Sequence, residues 1–467
     1  MIKEIEKIFN LQMDYKWKIK QSTAKDRIEK LKRLRTCILD NKDEIQKAIY
    51  NDFKKPAEEV LLTEIYPVTS GIKHVIKNLN KWMKDKKVKS PLSHFGSKSR
   101  IRYEPKGVSL IMSPWNFPFQ LTMDPLVSAI AAGNCVILKP SEFSPHTTEC
   151  IKNIVQEVFK ENEVAVFEGD HEIAQMLLKK PFDNMFFTGS PSVGKKVMEA
   201  AAKNLATVTL ELGGKSPVII DEIVDIDEAA KRIAWGKCLN AGQICVAPDY
   251  LLIPEDKQEE FIRLTSKYIT NFYGEMDTAN EELKYCRIIN KRHFTRVKEL
   301  IDDALSKGAK LRFGGHYQED EKFISPTLIT HVPLDCKILE EEIFGPVLPI
   351  ITYKCIDEAI EYVNSKPKPL ALYIFSKDKN KINYILDHTQ SGDVSINDVI
   401  MHVSNTNLPF GGINNSGIGK SHGYHGFMAF THERSYFKQA KYSAVSMLYP
   451  PFNKSTKGII EKLIKYF

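Results

Sequence analysis

The sequence contains no apolar run long enough to span a bilayer. Its most apolar stretch, Leu126 to Leu138, is broken by Asn134. The amino terminus, MIKEIEKIFN, is charged and lacks the apolar centre of a secretory signal. No Cys-x-x-Cys pair occurs among the cysteines Cys37, Cys135, Cys150, Cys238, Cys245, Cys286, Cys336 and Cys355, and their spacings suggest no metal site. Dispersed cysteines in a chain of this length read as reduced thiols of a cytoplasmic protein. Neither sign of charge dominates. The formal net charge is +7 over 467 residues, with lysines scattered among acids, which leaves no footprint for nucleic acid. Internal repeats and low-complexity linkers are also missing.

What is present is an ordinary soluble composition, 43% hydrophobic and 27% charged, with length for two or three domains and a large core. Residues 1–90 read as helices, with Ile28, Leu31, Leu34, Ile38 and Ile45 near a 3.6 period and a second helical pattern from Val60 to Val88. Residues 98–104 alternate as an exposed strand. From Val108 the pattern changes to strand and helix in alternation. Strands are expected at Val108–Met112, Cys135–Leu138 and Met185–Thr188, with helices at Leu121–Ala132, His146–Phe159 and Ser192–Asn204 between and after them. Such alternation implies β-α-β units on a parallel sheet. Beyond residue 209 it resumes, with strands expected at 216–221, 250–253, 347–353, 370–375 and 393–396, which makes a second α/β domain. The tail, GIIEKLIKYF, places Ile459, Ile460, Leu463, Ile464 and Phe467 on one helical face. That face is read as docking on the protein's own core rather than on a membrane surface, because the segment is short and carries few charges.

The chemistry concentrates between Thr209 and Tyr250. Glu211 lies in the strand-like run TLELGGKSPVII, and Cys245 lies in a loop of small and polar residues, NAGQICVAPDY. A carboxylate able to activate water and a thiol able to attack carbon are two parts of a covalent mechanism. Cys245 has the most loop-like setting of the eight cysteines, where a Gly-Gln turn and a helix end would lower its pKa. The other seven fall in helical or strand patterns and read as packing residues.

Four further stretches carry candidate groups. Asn116, in SPWNFPF, follows a strand end, where α/β sheets bind ligands, and can donate to a developing oxyanion. Lys139 and Glu142, in LKPSE, follow another strand end and can hold ribose hydroxyls. The loop FFTGSPSVGKKV closes a strand and opens a helix; Gly189 and Gly194 permit close backbone approach, and the helix start favours an anion. It falls one residue short of a Walker A loop, with Lys196 where a hydroxyl would bind magnesium. Glu342 and Phe344, in EEEIFGPVLP, offer a carboxylate for a ribose and a ring for a flat cofactor. Taken singly, each reads equally as ordinary structure: a turn, a solvated pair, a core phenylalanine.

Taken in order, the motifs PWN, KPSE, FTGS-x-x-VG, LELGGKSP, GQ-x-C, EEIFGP and PFGG-x-x-x-SG-x-G resemble the aldehyde dehydrogenase superfamily. SGDVSIND, SHGYHGF, FTHERS and LYPP, with the short amino terminus, resemble its class 3 branch, which acts on fatty and aromatic aldehydes. The resemblance covers nearly the whole chain. It implies a Rossmann-like NAD(P)-binding domain at 1–81 and 105–208 and a catalytic α/β domain at 209–428. It further implies a small β bridging or oligomerisation element at 82–104 and 429–445, then a tail at 446–467. Cys245 would be the nucleophile, Asn116 and the Cys245 N–H the oxyanion hole, and Glu211 the base for thioester hydrolysis, with Glu342 competing for that role. Lys139 and Glu142 would contact the adenosine ribose, Gly189, Ser190 and Gly194 the pyrophosphate side, and Glu342 and Phe344 the nicotinamide ribose. The expected cofactor is NAD, with NADP as a second choice; the expected assembly is a homodimer without stable membrane insertion. Phe117, Ile244 and Trp235 would form an apolar mouth for medium-chain or aromatic aldehydes. Two alternatives stay open: a P-loop-type nucleotide hydrolase, weakened by Lys196, and a catalytically silent binding protein on the same fold, weakened by Cys245, Glu211 and Asn116 occurring together.

Overall fold

The structure, a computed structural model, describes residues 1–91, 94, 96–279, 284–441, 445 and 448–466. Two parallel sheets form its body. The first has six strands in the order Gly417–Ile418, Thr207–Leu212, Asn184–Gly189, Val108–Met112, Cys135–Lys139, Val164–Val166. Only Gly417–Ile418 runs antiparallel. Helices cover both faces, so the central strands are apolar on both sides, as buried parallel strands require. Val108, Leu110 and Met112 pack with Ile5, Ile8 and Phe9 of the first helix. Ile111, Val136 and Leu138 face the opposite way, toward a core that includes Leu31, Leu34 and Ile72. The two-residue alternation of a strand thus divides one apolar run between two cores.

The second sheet has seven strands in the order Lys310–Phe313, Thr327–Thr330, Val347–Tyr353, Tyr250–Pro254, Pro217–Ile220, Ala371–Phe375, Asp393–Ile396. It is parallel except at Lys310–Phe313. The expected boundary after residue 208 falls inside the strand Thr207–Leu212, which lies wholly in the first sheet. A third, antiparallel sheet joins Lys86–Val88, Lys98–Pro105 and Thr431–Lys438, and most of it is exposed. Lys86–Val88 is therefore a strand and not the end of the second helical run. The helical pattern at 28–45 is broken at Asn41, which ends one helix and begins the next.

The tail forms a helix, Lys454–Tyr466, whose apolar face is covered only in part. Thr456 is its one buried residue, Ile459, Ile460 and Leu463 are half-buried, and Ile464 is 78% exposed. Phe467 lies outside the described residues, as do residues 442–444 of the expected bridging element 429–445, in which Thr431–Lys438 is a strand. Among the described residues no helix is long and apolar enough to cross a membrane.

Candidate active site

The helix Ile226–Cys238 ends in a tight turn in which Asn240, Ala241 and Gly242 take left-handed φ values of 53°, 50° and 70°. Gly242 is required there, since a Cβ would collide with the Gly345 carbonyl. Gln243, fully buried, locks the turn: its amide donates to Asn240 O at 3.0 Å and Arg287 O at 3.1 Å, and its carbonyl accepts the Ile289 N–H at 3.1 Å. Cys245 follows half-buried, in an apolar cluster with Phe117, Ile244 and Trp235.

The expected lowering of the thiol pKa is not what this setting does. Burial, then the nearby Glu342 and Glu211 carboxyls, push the Cys245 thiol well up. The sulfur rests protonated and needs a base. Of the other cysteines, Cys355 is not a packing residue as expected but stands exposed at the start of the helix Ile356–Ser365.

Asn116, 3% exposed, reaches the same loop. Its Nδ2 donates to Gln243 O at 2.9 Å, which leaves the second N–H of the amide for another acceptor. Glu211 points in from the strand Thr207–Leu212. Its Oε1 accepts from Ser421 Oγ at 2.8 Å, and its enclosed Oε2 has no partner among the described residues. Burial raises its pKa to about 8, against the opposing pull of Ser421. Glu342 is raised to about 8 as well, by burial and then by Asp249, against the Gly214 N–H, Lys215 and Arg296. A Cβ at Gly213 would strike the Glu342 carboxyl, so the Gly-Gly pair after Glu211 is what admits Glu342. Two buried carboxyls beside one thiol, each with an acidity near neutrality, are suited to proton transfer.

The main chain around Glu342 is clamped. Arg296 donates to Glu342 O at 3.0 Å and Ile343 O at 2.6 Å. Lys215, ion-paired with Asp249, donates to Ile338 O and Glu341 O at 2.8 Å each, and Asp249 accepts the Ile343 N–H at 2.9 Å. Phe344 has a left-handed φ of 47° and packs edge-on against Trp115, with ring centroids 5.4 Å apart. Ser421, Lys215 and Asp249 lie inside SHGYHGF, LELGGKSP and NAGQICVAPDY, but those stretches do not reveal a role for them, and Arg296 lies in none. The available signal was a lysine and an aspartate in apolar surroundings, which a fold can bury only as a pair.

The remaining candidates line the carboxyl ends of the two strands that flank Val108–Met112 in the first sheet. Lys139, 4% exposed, donates to Glu142 Oε2 at 3.2 Å and to Pro140 O at 3.1 Å. Ser190 caps the helix Pro191–Ala202 by accepting the Val193 N–H. Within the protein, a Cβ at Gly189 would meet the Phe187 ring and one at Gly194 the Leu212 side chain. Gly194 lets the helix Pro191–Ala202 pack closely on the strand Thr207–Leu212, as the last glycine of a dinucleotide-binding turn does. Asn116 and Glu211 thus come from the first sheet, and Cys245 and Glu342 from loops leading into the neighbouring second-sheet strands Tyr250–Pro254 and Val347–Tyr353. Glu342 Oε1, enclosed and without a partner among the described residues, and the Lys139–Glu142 pair fit the hydroxyls of a dinucleotide's two riboses.

A thiol, an amide donor and two buried carboxyls meet between two α/β sheets, a set able to handle a carbonyl carbon covalently. The comparisons with known proteins agree. The profile of the aldehyde dehydrogenase family matches residues 3–436. The 4,4'-diaponeurosporen-aldehyde dehydrogenase of Staphylococcus aureus is 45% identical over 433 residues, covering 93% of each chain. Aldehyde dehydrogenase family 3 member A2 of Mus musculus is 42% identical, over 92% of this chain and 88% of its own. Among solved structures, the substrate-bound state of Staphylococcus aureus AldH superposes with a TM-score of 0.94 at 43% identity, covering 98% of this chain and 99% of that one. An NAD-dependent aldehyde dehydrogenase from Sinorhizobium meliloti has a TM-score of 0.87 at 27% identity, over 97% and 89%. The chain belongs to the aldehyde dehydrogenase family. It is an oxidoreductase that converts aldehydes to carboxylic acids, and its relatives include class 3 members. The P-loop hydrolase reading is set aside.

Proposed function

We propose that Cys245 is the nucleophile of an NAD-dependent aldehyde oxidation, with Asn116 and the Cys245 N–H as the oxyanion donors and Glu211 as the principal base. The observation that carries this reading is the convergence of Glu211 and Glu342 on a thiol that burial keeps protonated. The thiol proton passes to a carboxylate, and the sulfur attacks the aldehyde carbon. The aldehyde oxygen takes up negative charge, which the second Asn116 N–H stabilises. Bound dinucleotide supplies the hydride acceptor, and the acyl group stays on Cys245 as a thioester. Glu211 then deprotonates a water molecule that attacks the thioester, which releases the acid and returns the thiol.

Lys139 and Glu142 would hold the adenosine ribose, Ser190 and the helix start beside Gly189 and Gly194 the pyrophosphate, and Glu342 and Phe344 the nicotinamide ribose. Glu142 favours NAD, because its charge repels a 2′-phosphate, and Lys139 beside it softens that repulsion enough to admit NADP as a weaker substitute. Phe117, Ile244 and Trp235 support a preference for medium-chain or aromatic aldehydes. A homodimer is supported by the outer edge of Thr431–Lys438, which pairs with no further strand among the described residues and where Tyr436 and Phe437 are each 51% exposed. A cytoplasmic location fits the free cysteines.

The test is the absorbance of reduced cofactor with hexanal, benzaldehyde and acetaldehyde. Turnover with NAD exceeds that with NADP, hexanal and benzaldehyde exceed acetaldehyde in kcat/KM, and Cys245→Ala abolishes turnover while still binding cofactor. Undiminished turnover by Cys245→Ala would remove the mechanism; equal kcat/KM for acetaldehyde would remove the substrate preference.

A further inference from the structure

The loop that carries Asn116 and the loop that carries Cys245 are linked by Asn116 Nδ2 to Gln243 O and a second time by the side chain of Asn240. Asn240 is fully buried; its Nδ2 donates to Asn116 O at 2.9 Å and to Gln243 O at 3.1 Å. Its own backbone N–H donates to Glu59 Oε1 at 2.8 Å. Asn240 holds a left-handed backbone, φ 53°, which asparagine tolerates better than most residues, and Ala241 after it does the same without that tolerance. Such conformations persist only where surrounding contacts enforce them.

The same segment braces the Asn116 loop from its other side. Glu64 Oε2 accepts the Gln120 N–H at 2.9 Å, and Glu64 Oε1 accepts from Lys55 Nζ at 2.9 Å. Both partners of that ion pair are wholly buried, and Lys55 Nζ stands 3.9 Å from the centroid of the Phe117 ring. A buried ion pair adds little net stability compared with apolar packing. Enclosed charge and strained backbone therefore meet beside the reactive sulfur, and what they supply in common is fixed geometry.

We propose that Asn240, held by Glu59, is a positioning residue that sets the oxyanion pocket. It ties the Asn116 and Gln243 peptide groups together, so that the second Asn116 N–H and the Cys245 N–H serve one oxygen. The inference rests on the reading of Asn116 as the oxyanion donor. Misplacing such a donor costs on the order of 100-fold in rate.

The experiment compares two reactions of the same sulfur. Oxidation of hexanal with NAD builds an oxyanion, whereas alkylation of Cys245 by iodoacetamide, a displacement at saturated carbon, builds none. Asn240→Gly keeps the left-handed backbone and removes the tether. It lowers kcat for hexanal on the order of 100-fold, with KM and the alkylation rate close to those of the unaltered enzyme. If alkylation slows in parallel with turnover, or if kcat is unchanged, the inference is overturned. Should Asn240→Gly fail to fold, Glu59→Gln and Glu59→Leu decide. The glutamine keeps an acceptor for the Asn240 N–H and retains much more turnover than the leucine, with alkylation alike in both; equal turnover in the two variants overturns the inference. Loss of turnover in the unaltered enzyme would instead count against the dehydrogenase mechanism itself.

Discussion

Glu211 and Glu342 flank the same thiol at the same acidity, about 8, and burial is the first cause of both shifts. The chain supports them in opposite ways. Glu211 sits on a strand whose backbone is paired on both sides, to Thr188 and to Gly417, so its main chain needs no further help. One side-chain contact, from Ser421, addresses the carboxyl directly. Glu342 sits on a turn. Its support goes to the main chain, through Arg296, Lys215 and Asp249, and its carboxyl is received by the Gly213–Gly214 backbone. A group on a sheet can be tuned in acidity by a single hydroxyl, whereas a group on a turn must first be held in place. The first arrangement suits a base that works from one position; the second suits a grip on a cofactor.

The largest effects come from the two carboxyls themselves. A base with a pKa of about 8 is protonated below that pH, so kcat rises as pH passes through about 8. Glu211→Gln lowers kcat by about 10²–10⁴-fold and removes this rising limb. Glu342→Gln keeps the limb and acts mainly on the KM for NAD. Steady-state pH profiles of both variants check the pair. A limb lost in Glu342→Gln and kept in Glu211→Gln would exchange the two roles.

A smaller change separates acidity from position. The Ser421 hydroxyl favours the ionised form of Glu211, so Ser421→Ala makes the carboxyl harder to ionise. A hydrogen bond to a charged group is worth about 1.5 kcal/mol at the low end, close to the free energy of one pH unit. The rising limb therefore moves up by about one pH unit, and turnover at neutral pH falls ~10-fold and recovers in alkali. If the limb stays where it was, Ser421 does not tune the base.

Much of this was legible in the chain. Both sheets announced themselves through alternation of strand and helix, and the nucleophile, amide and carboxyl were visible as residue types in a meaningful order. What could not be read lies in three-dimensional neighbours. Ser421 is 210 residues from Glu211, and only the antiparallel return of Gly417–Ile418 brings that segment to the strand. The Cys245 loop is polar in composition, which suggested an easily ionised thiol, yet it folds against Phe117 and two carboxyls that raise its pKa. The glycines of the phosphate-type loop also make room for Phe187 and Leu212, neighbours that motif spacing does not reveal. In the tail, periodicity showed an amphipathic helix but could not show whether the body offered a surface for it.

The smallest predicted effect tests the other side of the comparison. Arg296 touches neither carboxyl oxygen of Glu342 through a hydrogen bond; it holds the peptide carbonyls of Glu342 and Ile343. Arg296→Met keeps the length of the side chain and removes both donors. If the turn matters for position alone, the KM for NAD rises by roughly 10-fold, as expected for about 1–1.5 kcal/mol of lost hydrogen bonding, while the rising limb near pH 8 does not move. Cofactor titration by fluorescence and a pH profile of kcat, run on the same variant, separate the two quantities. A shifted limb with unchanged cofactor affinity would mean that the turn, like the strand, is tuned for acidity, and the division of labour between the carboxyls would no longer hold.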